Sequence, residues 1–179
     1  LGNYCRDASN EGEKCLLFGF AGCQAQDFDL AMEEILATQA INTRAKKDKT
    51  YHLVISFRPE DEIKLTEDTL RNIEKEFAQA LGLEEHQRVF GVHKNTKNLH
   101  MHVAYNLIHP AKFTHIEPYY DFPSRDKICR QLEIELGLET DNGIEVSNPL
   151  IPKISQRTAA MEAHTGEQSF QSFLLSQKA

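Results

Sequence analysis

The chain has 179 residues, of which 40% are hydrophobic and 26% are charged, and its 20 Lys+Arg against 27 Asp+Glu give a formal net charge of −7. This balance is typical of a globular protein with a packed core and excludes disordered, collagen-like and disulfide-stapled classes. The acidic total also argues against a protein that coats nucleic acid with its whole surface.

No apolar run approaches the roughly 18 residues that a membrane-spanning helix needs, so we expect no membrane insertion. The four cysteines include no CxxC pair and lack zinc-ribbon spacing, which is typical of reduced thiols in a cytosolic protein. The chain starts without Met and stops inside a helix-like pattern, and we therefore expect it to be part of a longer protein.

The first predicted element is a short apolar strand at residues 14–20. Asp27 is then expected to cap a helix whose apolar residues repeat at helical spacing and stop near Arg44, where a basic loop begins. In residues 51–58 the period changes to two, so that the odd positions face the core. The opposite face of this strand carries His52, Val54, Ser56 and Arg58.

Thr66 is expected to cap a second amphipathic helix that ends at Gly82. Two further strands follow, over residues 88–93 and 99–107, joined by a polar turn, and a last helix is predicted with Ser124 as its cap. This order of elements predicts an α+β fold with a central, largely antiparallel sheet and helices packed on one face. The other face would then be available to a ligand.

The hairpin formed by the last two strands carries three histidines on one face. Pairing its strands about the turn places His93 opposite His100 and Gly91 opposite His102. Opposed side chains lie about 5 Å apart and next neighbours along a strand about 7 Å apart, so three imidazoles can meet one ion at about 2.1 Å. The other face of the second strand is apolar and points to the core: Leu99, Met101, Val103, Tyr105 and Leu107.

A lone His-x-His pair on a strand can also be chance, or a solvated polar face. The third histidine across the hairpin favours a metal site, because three neutral nitrogen ligands with open positions suit a metal that polarises a substrate. Ligand chemistry alone favours Zn²⁺ or another transition metal such as Ni²⁺ over Mg²⁺.

The charge is unevenly distributed along the chain. Residues 44–58 and residues 86–115 each carry a net charge of +4, so the rest of the chain carries −15. The basic segments are the ones that contain the histidines. We therefore expect a basic rim around a metal-binding sheet face, as a polyanionic substrate would require.

Residues 92–106, which contain the hairpin, resemble the third motif of conjugative relaxases, the HUH endonucleases that nick plasmid DNA at an origin of transfer, and match their P-type group. Four other segments resemble the same family in the same order: residues 37–44, 48–57, 81–88 and 108–110. The resemblance implies the HUH relaxase fold, a permuted ferredoxin-like or RRM-like palm. It also implies a relaxase domain over residues 1–165 and the start of a helical extension or linker over residues 166–179.

The family's nucleophilic tyrosine falls on Tyr4, whereas Tyr51 lies on the apolar face of its strand and is assigned to the core. The serine that holds DNA near the nick falls on Ser56, and the family's metal ligands fall on the three hairpin histidines. Mg²⁺ or Mn²⁺ is the ion that the family implies. Asn95 stands where the family often has an aspartate, and an amide cannot supply that residue's negative charge.

The resemblance implies a transesterification in which Tyr4 attacks the scissile phosphate, polarised by the metal, and a 5′-phosphotyrosyl bond forms as the 3′-hydroxyl leaves. His52 is the candidate proton acceptor. Asn106 could orient a phosphate or be a structural residue at a strand end. The candidate DNA contacts are Arg44, Lys46, Lys47, Lys49, Arg58, Lys94 and Asn106.

The partners that the resemblance implies are single-stranded DNA at the origin of transfer, relaxosome accessory proteins, a coupling protein and a type IV secretion system. They place the protein in a bacterial cytoplasm, from which it can pass with the DNA into a recipient cell. Two other functions stay open. One is a three-histidine metallophosphohydrolase in which Tyr4 is structural, and the other is a replication-initiator-like or non-catalytic single-strand-binding module.

Overall fold

The computed structural model of the chain describes residues 15–94 and 97–140. Tyr4, Asn95 and the predicted boundary between residues 165 and 166 lie outside these ranges. The described elements are, in chain order, β1 (Cys15–Ala21), α1 (Phe28–Ile41), β2 (Thr50–Ser56), a 3₁₀ helix (Pro59–Lys64), α2 (Glu67–Ala80), β3 (Arg88–His93), β4 (His100–Asn106) and α3 (Phe122–Leu136).

The four described strands form one sheet in the order β1-β3-β4-β2, and every neighbouring pair is antiparallel. The β3–β4 hairpin therefore lies at the centre, and β1 and β2 lie at the edges of this sheet. This arrangement confirms the predicted α+β fold with an antiparallel sheet.

One face of the sheet packs against α2 and α3. Alternate residues of β4 supply its centre, and Met101, Val103 and Tyr105 are fully buried there. The apolar stripe of α2, with Leu70, Ile73 and Phe77, and the α3 residues Ile128 and Leu132 close over them. The period of two in the strands and the helical spacing in α2 thus produce a single core.

The opposite face is only partly covered. Phe28 and Ile35 of α1 pack on Val89 and Ala104, which lie towards one end of β3 and β4. The other end of that face, where the histidines lie, is not covered by α1. The expectation that helices pack on one face only, and leave the other face free for a ligand, is therefore wrong for the part of that face that α1 covers.

Helix ends follow local chemistry. Asp27 accepts a hydrogen bond from the N–H of Leu30, and Thr66 accepts one from the N–H of Thr69, so both predicted caps are confirmed. Gly82 has a positive φ of 69°, as a residue that ends a helix in the left-handed region requires.

Two helix boundaries were predicted wrongly. The helix α1 ends at Ile41 rather than near Arg44, because Asn42 turns into extended backbone and its side chain binds the amides that follow. The helix α3 begins at Phe122, so Ser124 lies inside its first turn and does not cap it. Pro123 explains the earlier start, since its fixed φ and missing N–H suit the first turn of a helix.

A buried ion pair joins α2 to β3. The guanidinium of Arg88 donates to the carboxylate of Glu74, and it also donates to the carbonyls of Glu84 and His86 at 2.9 and 3.2 Å. Burial raises the pKa of Glu74, while the adjacent Arg88 lowers it. The residues Glu84 to Arg88, which lie in one of the family-like segments, thus have a structural role.

Removal of one member of this pair is expected to be costly. Glu74→Ala leaves the charge of Arg88 buried without its carboxylate, and we expect a loss of about 3–5 kcal/mol in the free energy of unfolding, measured with urea. The matched control is Glu67→Ala, which breaks an exposed pair with Arg71 on the same helix and is expected to cost below about 1 kcal/mol. Equal losses in the two variants would contradict this account of the pair.

Candidate active site

The register of the sheet brings the three hairpin histidines together. His93 pairs with His100 across β3 and β4, and Gly91 pairs with His102, as predicted. Paired residues in an antiparallel ladder share a face, so the three imidazoles project from the same side of the sheet. Glycine at position 91 places no side chain opposite His102.

The three imidazoles form a compact cluster. One ring nitrogen of each lies within 4.8 Å of those of the other two, and the ring centroids are 4.9–5.9 Å apart. Three nitrogens that bind one ion at about 2.1 Å lie about 3.0–3.6 Å from one another, so shifts of the rings by about 1 Å suffice to bind it. The donor set therefore fits a divalent metal ion.

His52 lies directly against this cluster. Its Nε2 is 3.0 Å from Nδ1 of His102, and the two rings stack with centroids 5.2 Å apart. The contact arises because His52 pairs with Ala104, two residues along β4 from His102, and diagonal neighbours in a sheet are within reach of long side chains. Partial burial lowers the pKa of His52, which favours its neutral form.

The strands β2 and β1 contribute further side chains to the face of the sheet that carries the histidines. Ser56 pairs with His100 and Val54 with His102 on β2, so the predicted ligand-face residues of this strand lie beside the cluster. Phe18 on β1 pairs with Gly91 and is 46% exposed on the same face. Phe18 was not predicted to lie on this face, because β1 is apolar on both faces and its sequence shows no alternation of polar and apolar residues.

Tyr51 is part of the core side, as predicted. Its ring packs near that of Tyr105, and its hydroxyl donates a hydrogen bond to the carboxylate of Asp121. Burial, together with this bond, raises the pKa of Tyr51 to about 12. A phenol in this state is a poor source of phenolate at neutral pH.

The expected basic rim is split into two groups. Arg58 follows β2 and Lys94 follows β3, so both lie at the histidine end of the sheet, where Lys94 forms an ion pair with Glu62. Residues 44–49 precede Thr50, which pairs with Asn106 six residues away from the Ser56–His100 pair. At about 3.3 Å per residue, the start of β2, next to this second group, lies roughly 13 Å from the row of His102 and roughly 20 Å from the row of His100.

Besides Lys94, three of the predicted DNA contacts have partners within the fold, and one of them is Lys47, which forms an ion pair with Glu117 at 3.4 Å. Asn106 is 1% exposed, and its amide donates to Gln87 and accepts from the N–H of Ile108, both at 2.9 Å. The structural interpretation of Asn106 is therefore the better one, because a buried and fully bonded amide does not reach a phosphate. Lys49 donates to the carbonyls of Gln39 and Asn42, at 2.6 and 2.5 Å, and so caps the end of α1.

Within the described residues, no helix is long and apolar enough to span a lipid bilayer.

Comparisons with known proteins agree with this geometry. The family model "Relaxase: MobA/VirD2-like, nuclease domain" matches residues 4–138. Two proteins named TraI from Escherichia coli are 43% and 39% identical to the chain over 94% of its length, and the chain covers 22% of each. A protein named MobA from Acidithiobacillus ferrooxidans is 30% identical over 69% of the chain, which covers 33% of it. The chain thus spans a fifth to a third of the length of these relatives.

Proposed function

The chain belongs to the family of MobA/VirD2-like relaxase nuclease domains, and from this premise we propose that it nicks and rejoins one DNA strand at a plasmid origin of transfer. The observation that carries the proposal is the compact cluster of three histidines beside Ser56. In the proposed reaction this face receives the scissile phosphate and the nucleotides next to it.

The proposed chemistry is a transesterification. The hydroxyl oxygen of Tyr4 loses its proton to a base and attacks phosphorus, the bond from phosphorus to the 3′-oxygen breaks, and that oxygen takes up a proton. The product is a 5′-phosphotyrosyl bond and a 3′-hydroxyl, so the reverse attack rejoins the strand. This assignment of Tyr4 rests on the family motif, and it is supported by the buried hydroxyl of Tyr51, the other tyrosine that precedes the hairpin.

His93, His100 and His102 would hold the metal ion. A divalent ion in this position supplies Lewis-acid polarisation of a non-bridging phosphate oxygen. The family resemblance favours Mg²⁺ or Mn²⁺, whereas three imidazoles favour Zn²⁺ or Ni²⁺. Activity measured with each ion at controlled free concentration separates these two expectations.

We propose that His52 positions the ring of His102. This role is proposed in place of the proton acceptor that His52 was expected to be. Because Nδ1 of His102 faces Nε2 of His52, a proton on that Nδ1 directs Nε2 of His102 towards the ion. His52 is therefore a positioning residue and acts through its neighbour.

Replacement of His52 tests this role. His52→Ala is expected to weaken Mn²⁺ binding about 10–100-fold in a calorimetric titration, because the ring of His102 loses the partner that fixes its tautomer. His52→Gln keeps an acceptor and should recover part of the affinity. Thr50→Ala, a change on the same strand at the far end, is the control. Wild-type affinity in His52→Ala would contradict the proposed role.

The DNA strand would be held on this face by side chains of three kinds. Ser56 can donate a hydrogen bond to a phosphate, and Arg58 and Lys94 can contact the backbone at the same end of the sheet. Phe18 offers an exposed ring on which a base can stack. These contacts complete a site for single-stranded DNA.

We further propose the cellular setting that the family implies. The protein acts in the bacterial cytoplasm with relaxosome accessory proteins, and it passes with the DNA through a coupling protein and a type IV secretion system into a recipient cell. The chain covers 22% of each TraI relative, and we propose that segments outside this part contact these partners.

The experiment that tests the function is an incubation with labelled single-stranded oligonucleotides that carry a panel of transfer origins. The proposal predicts metal-dependent cleavage of one of them and a covalent protein–DNA adduct. Release of phosphate or product without an adduct would favour a three-histidine metallophosphohydrolase. Binding that chelators do not affect, without cleavage of any origin, would favour a non-catalytic or replication-initiator-like module.

A further inference from the structure

A groove of about 700 Å³ opens at the end of the sheet opposite to the histidines, and we call it the distal groove. Its walls are the loop after α1, with Arg44, Lys46 and Lys47, and the loop after β4, with Lys112. Among the described residues that line it, Glu117 is the one carboxylate. The groove therefore carries a net positive charge in a chain whose total is −7.

The basic wall of the distal groove has a defined shape. The side chain of Asn42 is buried, and its amide nitrogen donates to the carbonyl of Phe113 on the other wall at 2.7 Å. Its amide oxygen accepts from the N–H groups of Arg44 and Ala45 at 3.1 and 2.9 Å. Because these bonds and the Lys49 cap of α1 fix the loop, little ordering is needed when a ligand binds.

An exposed aromatic side chain lines the groove. Phe113 is 40% exposed there, on the wall that also carries Lys112. Every base offers a face that can stack on such a ring, and cations beside it can contact the phosphates. A cationic groove with an exposed aromatic ring is typical of a surface that binds a nucleic-acid strand.

Two lengths give the distance to the groove from the Ser56–His100 end of the sheet, where the scissile phosphate is proposed to bind. The strand β2 spans it in six residues, from Ser56 to Thr50, which is about 20 Å. The helix α1 begins where Phe28 contacts Phe18 and ends beside the groove, and its 14 residues span about 21 Å. A stacked strand advances about 3.4 Å per nucleotide, so it covers this distance in about six nucleotides.

We propose that the distal groove is a second binding site for the phosphodiester backbone of the nicked strand, about six nucleotides from the scissile phosphate. The identity of this strand rests on the proposed function. The groove makes affinity depend on the length of the strand as well as on the sequence at the nick. It also explains why a chain with an acidic total carries its basic loop so far from the histidines.

The test measures binding in a chelator, so that no cleavage occurs. The affinity is measured for a fluorescein-labelled oligonucleotide of 30 nucleotides that has the nick site at its centre. It is compared with the affinities of two shortened oligonucleotides, each of which keeps only three nucleotides on one side of the nick site. For the full 179-residue chain we expect truncation on one side to lower affinity about tenfold. In the double variant Arg44→Ala/Lys46→Ala the same truncation should change affinity by less than about twofold, because the distal contact is already lost.

Salt dependence gives a second measurement. Each lost phosphate contact should reduce the slope of log affinity against log salt by about 0.7, so the double variant should show a slope smaller by about 1.4 with the long oligonucleotide. The single variant Lys112→Ala, from the other wall, should show half of this change. Lys75→Ala/Lys127→Ala removes two exposed lysines from α2 and α3, on the covered face of the sheet, and is the matched control.

Affinity of the wild-type chain that is indifferent to truncation on both sides would overturn the proposal, and so would an unchanged length dependence in the double variant. These results are independent of strand cleavage. If an oligonucleotide is cleaved but its binding does not depend on length, the distal site is contradicted and the proposed reaction is supported. If binding depends on length but no origin is cleaved, the distal site is supported and the proposed reaction is contradicted.

Discussion

Replacement of Tyr4 by phenylalanine is expected to abolish the covalent protein–DNA adduct and to lower strand cleavage by about 10⁴-fold or more. The variant lacks only the hydroxyl oxygen that attacks phosphorus, and enzymes that lose their nucleophile commonly lose activity on this scale. Binding of the oligonucleotide should persist, because the histidines, Ser56 and the cations remain. The measurement is denaturing electrophoresis of the protein after incubation with labelled origin DNA.

Tyr51→Phe is the matched control for this change. Its hydroxyl donates to Asp121 on the core side of the sheet, so its loss should cost about 1 kcal/mol of stability and leave adduct formation intact. Adduct formation that survives in Tyr4→Phe would contradict the assignment of the nucleophile. Loss of the adduct in Tyr51→Phe with a folded protein would point to the wrong tyrosine.

Replacement of His100 by alanine is expected to have the second largest effect. One of three nitrogen donors is removed, so affinity for Mn²⁺ should fall by about 100-fold or more, and metal-dependent cleavage should fall with it. The fold should survive, because the apolar core is built from the alternate residues Met101, Val103 and Tyr105 of β4 and does not include His100. Calorimetric titration and circular dichroism measure the two quantities.

His115→Ala provides the comparison, since it removes an imidazole near the opposite end of the sheet and should leave the metal affinity unchanged. Full metal occupancy in His100→Ala, at an ion concentration that half-saturates the wild-type chain, would contradict the three-histidine site. Equal losses in His100→Ala and His115→Ala would show that the ion is not held by the hairpin.

The residues that alternate along strands could be predicted well from the sequence. In β2 and β4 one face is apolar and the other carries the polar side chains, so a shift of one residue would bury the wrong set and the register is strongly determined. Because the turn between β3 and β4 is short, His93 can pair only near His100. The clustering of the three histidines could be predicted from these two constraints alone.

Other features could be identified only from the folded structure. Residues 44–49 directly precede β2, yet the extended strand places them at least four to six residues along the sheet from the rows of His102 and His100. Asn106 has the same parity as the histidines, and only the packing of Gln87 and Ile108 against its amide shows that it is structural. Parity along a strand gives the face of a residue and says nothing about what covers that face.

The net charge has a different meaning once the fold is known. Some of the basic residues form one group at the histidine end of the sheet and another at the distal groove, in a chain whose total charge is −7. Under the proposed function, attraction for DNA is therefore local, and the acidic residues elsewhere disfavour non-specific binding of duplex. A strand that binds at both sites would contact both groups.

The central claim is most directly tested by peptide mapping of the protein–DNA adduct. After reaction with a cleavable origin oligonucleotide, digestion with nuclease and trypsin should leave a nucleotide attached through a 5′-phosphate to the peptide that ends at Arg6, with Tyr4 as the modified residue. The reaction described here predicts this adduct and its loss when the strand is rejoined. An adduct on Tyr51, Tyr119 or Tyr120, or cleaved DNA with no modified peptide, would contradict it.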